Sequence, residues 1–369
     1  MSKHFFYVTI VLLFTSMIAV AQPSKALEGL VKKMSTPYLE EETTHQLQIG
    51  ILERGYKYHY LFEGTENVGK EELDSTALFA IGSITKTFTT ALLTAMVVDK
   101  VVKLEDPITL YLPDSVTLVN SFLEKITLEE LASHTSGFPQ RPQNLALKMQ
   151  SKGQPYANYE LSDLHQYLID YRPILDKKRL KSLEKKFLYS HFGIGLLGHL
   201  LEVAGKESYP NLLQKYLLQS LGLKSAKLLE NISAEQNRLK GHDFSGNETL
   251  PEECASLYAS EGLYISLPDL LQFVKVNMEE SEQFSFLRTN LEAKCKTDKK
   301  RVQMGLGWFI IEQGNPKKYP PIYTHSAKTN GFSSYVGFIP KTQTAVVVLS
   351  NSNKRVDQLG ISILELINR

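Results

Sequence analysis

The sequence predicts a mixed α/β fold in which both chain ends build one unit and a mostly helical stretch is inserted between them. Three observations predict it. Apolar and aromatic runs of strand length lie near the start, at 47–52 and 56–62, and recur in the last third at 305–311, 334–339 and 344–349. The residues between carry helical spacing instead. No internal repeat or interdomain linker breaks the chain, so one domain is expected over 22–369, with an α/β part roughly at 22–80 and 290–369 and a helical part roughly at 81–289.

Taken in order, residues 23–45 form an amphipathic lead-in, with Leu27, Leu30, Val31 and Met34 at helical spacing. The runs at 47–52 and 56–62 flank Glu53-Arg54-Gly55, the pattern of a β-hairpin around a glycine turn. A charged loop over 63–74 leads to a helix from Lys86 to Val98 that contains no Gly or Pro. Thr127 and Glu130 have the spacing of a capping box. Residues 140–159 are polar and rich in Gln and Pro, a long loop of the kind that borders a site. A helix over 161–171 takes Ser162 as its cap, and the lysine-rich stretch 176–186 reads as a solvated face. The apolar helix at 192–204 carries Gly193, Gly195 and Gly198, which permit close packing. Further helices fall at 209–221, 267–278 and 356–367.

With 369 residues, 43% hydrophobic and 22% charged, the composition is that of an ordinary globular protein. A net charge of +1 gives no basic excess, and nothing points to nucleic acid. At the start, Lys3 and His4 precede an apolar run over 5–20, and Ala19 and Ala21 provide small residues before Gln22. That is the pattern of a secretory signal peptide over 1–21. The run barely reaches the roughly 18 residues that a membrane span needs, so a periplasmic or extracellular protein without a stable span is expected. Export permits a bond between Cys254 and Cys295, and both a disulfide and two buried free thiols stay open. Nothing demands oligomerisation, and a monomer is expected.

The chemistry starts at Phe79-Ala80-Ile81-Gly82-Ser83-Ile84-Thr85-Lys86. Ser83 stands at the mouth of the helix and Lys86 follows three residues later, so the two share a helix face. The free N–H groups at such an N-terminus can hold an oxyanion. Phe79, Ile81, Ile84 and Phe88 would desolvate the lysine and favour its neutral, basic form. A nucleophile, a base and an oxyanion donor thus come from one short element.

Farther along stand Tyr189-Ser190-His191 and His325-Ser326-Ala327. In order and rough spacing, the three motifs resemble the serine–lysine, Tyr-x-Asn and Lys/His-Thr-Gly elements of the serine β-lactamase and penicillin-binding family. The stretches 131–137, 305–308 and 330–340 add to the likeness, which covers nearly the whole chain after the leader. It is most similar to class C β-lactamases and their carboxypeptidase and esterase relatives. The resemblance implies a β-lactamase/transpeptidase-like α/β (α+β) fold: an antiparallel sheet from both chain ends, flanked by helices, with an inserted helical subdomain. It also implies cofactor-free acyl transfer in which Ser83 is the nucleophile, Lys86 its base and Tyr189 the proton relay, its phenol pKa lowered by the lysine. His191, His325, Ser326 and Ala327 would line the substrate site. The backbone N–H of Lys328 would complete the oxyanion hole with that of Ser83.

Two departures stand out. His191 occupies the usual asparagine position, where an imidazole has a different donor pattern and resists protonation beside Lys86. Ala327 replaces the usual glycine and would be strained at any φ > 0. His134, in the His-Thr-Ser-Gly turn, reads as a structural hydrogen-bonding residue. No H-E-x-x-H, paired C-x-x-C, G-x-S-x-G, Walker or dinucleotide motif is present, so no metal or cofactor is supported. The first expectation is therefore class C-like β-lactam hydrolysis of a small-molecule or peptidoglycan-like substrate. D-amino-acid peptidase or esterase action, and a slow-turnover penicillin-binding or sensor role, are the alternatives.

Overall fold

The computed structural model describes residues 25–40, 45–64, 73–147, 154, 156–172, 186–233, 236–315 and 318–368. The leader pattern at 1–21 and all but the end of the lysine-rich stretch lie outside these residues, as do 148–153 and 155 of the long loop.

The chain enters through helix α1 (Lys25–Leu39) and the hairpin β1 (Gln46–Glu53) and β2 (Tyr56–Glu63). Arg54 and Gly55, at φ 51° and 85°, make the turn; two positive φ values suit a two-residue hairpin. Helix α2 (Thr85–Val98), α3 (Leu161–Asp170), α4 (His191–Gly205) and α5 (Leu267–Met278) follow, with short helical turns between them. The chain then supplies β3 (Cys295–Lys296), β4 (Val302–Met304), β5 (Phe309–Ile311), β6 (Ile322–Thr329), β7 (Phe332–Ile339) and β8 (Thr344–Ser350), and closes with α6 (Asp357–Ile367). These eight strands form one sheet in the order β2-β1-β8-β7-β6-β5-β4-β3, antiparallel throughout. The first hairpin therefore joins the last strand directly, with Leu47 opposite Ser350 and Leu52 opposite Ala345.

Both faces of the sheet are covered, which explains why β7 and β8 read as nearly continuous apolar runs rather than alternating ones. Ile49, Ile51, Val346 and Val348 pack under α1 and α6 with Val31 and Ile363. Leu52, Val347, Leu349 and Phe338 face the larger core that holds α2, α4 and α5. Burying each such side chain contributes about 1.5–3 kcal/mol. Helix α2 lies inside that core, every residue from Thr85 to Met96 buried. Its threonines are satisfied locally or by neighbours: Thr87 donates to Ile84 O at 2.7 Å, and Thr90 donates to Leu306 O at 3.0 Å.

Several details differ from the sequence reading. Gly305 to Trp308 is a turn and not a strand, because Gly307 takes φ 75° and its N–H bonds Ala132 O; the strand begins only at Phe309. Glu160, not Ser162, precedes α3, and its N–H bonds the Asp163 carboxylate at 3.1 Å. The Thr127–Glu130 capping box forms as expected. Gly195 and Gly198 give α4 its close approach to Leu257 and Ala259. Cys254 and Cys295 are both free thiols. Among the described residues, no helix is long and apolar enough to cross a membrane, and no cluster of His, Cys, Asp and Glu could hold a metal.

Candidate active site

A small second sheet builds the site. Phe79–Ala80 pairs with Leu263–Ile265, which also pairs with Lys227–Leu228. Ile81 N–H donates to Leu263 O at 3.0 Å, and Leu263 N–H donates to Thr85 Oγ1 at 3.1 Å. The Ser83 turn is thus stitched to the segment that carries Ser260 and Glu261. Gly82 opens the turn at φ 45°, and a Cβ there would run into the Thr329 methyl and lie 3.1 Å from Ala327 Cβ. Both strain and collision fall on the residue next to Ser83. Gly82→Ala is accordingly expected to cost about 1–3 kcal/mol of stability and to lower turnover about 100-fold by displacing the nucleophile. Urea unfolding and steady-state kinetics would measure both effects, and a variant equal to wild type would refute the role.

Ser83 lies in the helical turn Gly82–Ile84 that leads into α2. Lys86 is wholly buried, its Nζ 3.0 Å from Ser83 Oγ and 2.9 Å from Ser260 O. Phe79, Ile81, Ile84 and Phe88 are buried in the same core. Burial pushes the ammonium down to about 8, while Glu261 opposes the shift. Lys86 thus lies within hydrogen-bond reach of Ser83 with a depressed pKa.

Glu261 is the residue that sequence reasoning missed. Its Oε1 accepts from Ser83 Oγ at 2.9 Å, faces His191 Nδ1 at 2.8 Å and lies 3.9 Å from Lys86 Nζ. Desolvation works against its charge, but Lys86 and the bonds from His191 and Ser83 outweigh it and hold the carboxyl at about 2. It stands 178 residues from Ser83, so no spacing rule could pair them. Its one signal was a carboxylate set one glycine before the apolar run 263–265.

His191 opens α4, next to the cap Ser190, whose Oγ accepts from Gly193 N–H at 2.8 Å. The Glu261 carboxylate 2.8 Å from Nδ1 requires a proton there, and the Gln140 amide nitrogen 3.1 Å from Nε2 can donate to the other nitrogen; Lys86 Nζ also lies 3.2 Å from Nδ1, where its free base, not its ammonium, can accept that N–H. Burial first, and Lys86 second, lower the His191 pKa, as the sequence implied. The donor that an asparagine would turn to the substrate is therefore taken up by Glu261.

Tyr189 sits just before that cap. Lys86 Nζ lies 5.3 Å from its ring centroid. Desolvation nevertheless raises its pKa above the ordinary value. The lowering expected from the lysine is corrected here: desolvation is the largest influence and Glu261 adds to it, so Tyr189 is a protonated phenol in the resting site. His134, at φ 59°, packs tilted against Tyr189 at 4.4 Å between centroids and accepts Ser190 N–H on Nδ1 at 3.1 Å. That is the expected structural role.

β6 forms the other wall, against the Gly82–Ile84 turn. The tight turn at Asn330-Gly331 closes on Thr329 and Phe332, so Lys328, opposite Ser333, occupies a non-bonded register position. Its N–H therefore points away from β7 and stays unpaired by that strand. Strand alternation sends the Lys328 and Ser326 side chains to the opposite face from His325 and Ala327; Ser326 offers its carbonyl instead. Ala327 has no positive φ, so the alanine is unstrained. His325 Nδ1 lies 3.1 Å from Ser326 O, an acceptor, so it donates its proton there. The ring is buried, its Nε2 has no partner among the described residues, and burial pushes its pKa down to about 3. The expected cation or N–H donor toward substrate is therefore corrected to a neutral ring whose remaining nitrogen can only accept.

The beta-lactamase family profile matches residues 31–364. A beta-lactamase from Pseudomonas fluorescens is 24% identical over 357 residues, spanning 89% of this chain and 94% of the relative. One from Escherichia coli K12 is 23% identical, spanning 93% of each. Among solved structures, a beta-lactamase/D-alanine carboxypeptidase from Pseudomonas syringae superposes with TM-score 0.75 at 22% identity, covering 93% of this chain and 98% of that one. A class C beta lactamase from Rhodobacter sphaeroides superposes with TM-score 0.74 at 21% identity, covering 92% and 97%. With the family profile spanning all but the ends of the chain and the fold shared along its length, this protein belongs to the beta-lactamase family, whose homologues are serine hydrolases.

Proposed function

We propose that the protein is an exported hydrolase that forms an acyl-enzyme on Ser83 and releases it to water. The observation that carries this reading is the buried Lys86 ammonium 3.0 Å from Ser83 Oγ, with a pKa near 8 that leaves a usable fraction of free base at neutral pH. Lys86 takes the Ser83 proton as Oγ attacks the carbonyl. The N–H groups of Ser83 and Lys328 receive the oxyanion. Tyr189, its ring beside Lys86 Nζ, passes a proton to the leaving group and is reprotonated through Lys86. Export is supported by the leader pattern at 1–21.

β-Lactam ring opening is the reading favoured by the motif order and by the class C likeness of the fold. A second reading, ester or D-amino-acid peptide hydrolysis, is favoured by the neutral His325 and by a His191 donor already engaged with Glu261. The test is to incubate the protein with a penicillin, a chromogenic cephalosporin, a D-Ala-D-Ala peptide and a nitrophenyl ester, following product and intact mass. A transient adduct on the Ser83 peptide is expected. Turnover without any Ser83 adduct, even after rapid quenching, would overturn the proposal, and a long-lived adduct without turnover would leave a binding or sensor role.

A further inference from the structure

Every acyl donor with a carboxylate near its scissile bond must find a cation or an N–H donor in the site, or tolerate its absence. Here the side chains nearest the nucleophile provide little of either. The Lys86 charge is matched by Glu261 at 3.9 Å. His191 directs its Nδ1–H to the same carboxylate at 2.8 Å. His325 gives its proton to Ser326 O, and a second proton on its Nε2 would be buried with no acceptor among the described residues.

The other charged groups around the cleft do not redress this. Lys328 sends its side chain to the opposite strand face, its Nζ 4.1 Å from the Phe244 ring centroid. Arg141, exposed on the 140–159 loop, donates to Tyr156 Oη at 3.1 Å. Glu252 adds a second carboxyl behind Glu261; it accepts from Asn330 N–H at 3.3 Å, and burial and Glu261 raise its pKa to about 7.

Resting on the acyl-enzyme reading, we infer that Glu261 is a specificity-determining residue: its carboxylate beside Ser83, with His325 presenting only an acceptor, makes the site select acyl donors that carry no negative charge near the scissile carbonyl. Uncharged esters fit that description. β-Lactams and peptides ending in a free carboxylate do not. In the reactive form Lys86 is the free base, so the Glu261 charge is then unmatched, and two like charges about 6 Å apart at an effective dielectric near 20 repel strongly enough to give roughly 30-fold or more discrimination.

The experiment compares the 4-nitrophenyl ester of butyric acid with the corresponding half-ester of glutaric acid, which adds one carboxylate at the far end of the acyl chain. Wild type should favour the neutral ester at least about 30-fold in kcat/KM, and Glu261→Gln should shrink that preference about tenfold by restoring the glutarate ester. Glu261→Asp, which keeps the charge, should retain the preference. His325→Lys, which places a cation on β6, should independently improve the glutarate ester, and it decides the matter with the wild-type ratio if Glu261→Gln does not fold. A purely structural role for Glu261 would lower both esters equally and leave the ratio unchanged, which would overturn the inference. So would equal wild-type rates, or a glutarate rate that collapses in Arg141→Gln, since Arg141 would then be binding the acid. Absence of a Ser83 adduct despite turnover of both esters would sink the acyl-enzyme reading itself. A Ser83 adduct with no charge preference would sink only this one.

Discussion

Ser83→Ala is expected to abolish acyl-enzyme formation and to lower turnover of every substrate to the level of buffer. The change should not unfold the protein. Ser83 is 8% exposed, and an alanine fits the same space. The hydroxyl's bonds to Lys86 and Glu261 are lost, but those two groups stay 3.9 Å apart and still balance each other. Glu261 also keeps the His191 N–H. Stability should therefore change by about 1 kcal/mol or less. Intact-mass analysis under quench, alongside urea unfolding, measures both halves. A persistent adduct or residual turnover in the variant would mean that another group is the nucleophile.

Lys86→Met should be nearly as damaging for catalysis and more informative about the proton. The methionine fills the volume without a charge, so Ser83 keeps its place and loses its base. Acylation should fall about 10³- to 10⁴-fold, or roughly 4–5.5 kcal/mol of barrier. The pH dependence identifies the cause. A lysine with a pKa of about 8 is mostly ammonium below that value and mostly free base above it, so wild-type kcat/KM should rise with pH through about 8 and level off beyond it. The Lys86→Met variant should lose that limb. Lys86 is also the largest influence holding the Glu261 carboxyl low, so its removal should raise the Glu261 pKa, visible in the carboxyl carbon shift by NMR. An unchanged pH profile in the variant would assign the base to another group.

Much of this site was legible because it is local. Ser83 and Lys86 lie one helical turn apart, and Thr127 with Glu130 or the Glu53-Arg54-Gly55 turn are patterns contained within a few residues. What escaped is long-range. Glu261 reaches Ser83 only because Leu263–Ile265 pairs beside Phe79–Ala80, and pairing between distant strands leaves no mark in spacing. The strand Ile322–Thr329 escaped the alternation search because it mixes small and polar residues at its buried positions, with Thr324, His325 and Ala327 all buried. It entered only through the motif it carries. The rise in the Tyr189 pKa was equally out of reach, since it depends on how deeply the phenol is desolvated and on the distant Glu261 beside it, which residue identity alone does not decide.

The order in which the sheet is built has a consequence for how the chain is made. β1 finds its partner only in β8, the last strand, while β2 covers its other edge. During synthesis the first hairpin must wait with one edge uncovered until almost the whole chain has emerged. The Ser83 turn waits too, because Glu261 and the β6 wall come from the later two-thirds. Early folding thus yields neither a finished sheet nor a competent nucleophile, and catalytic competence arrives together with the C-terminus.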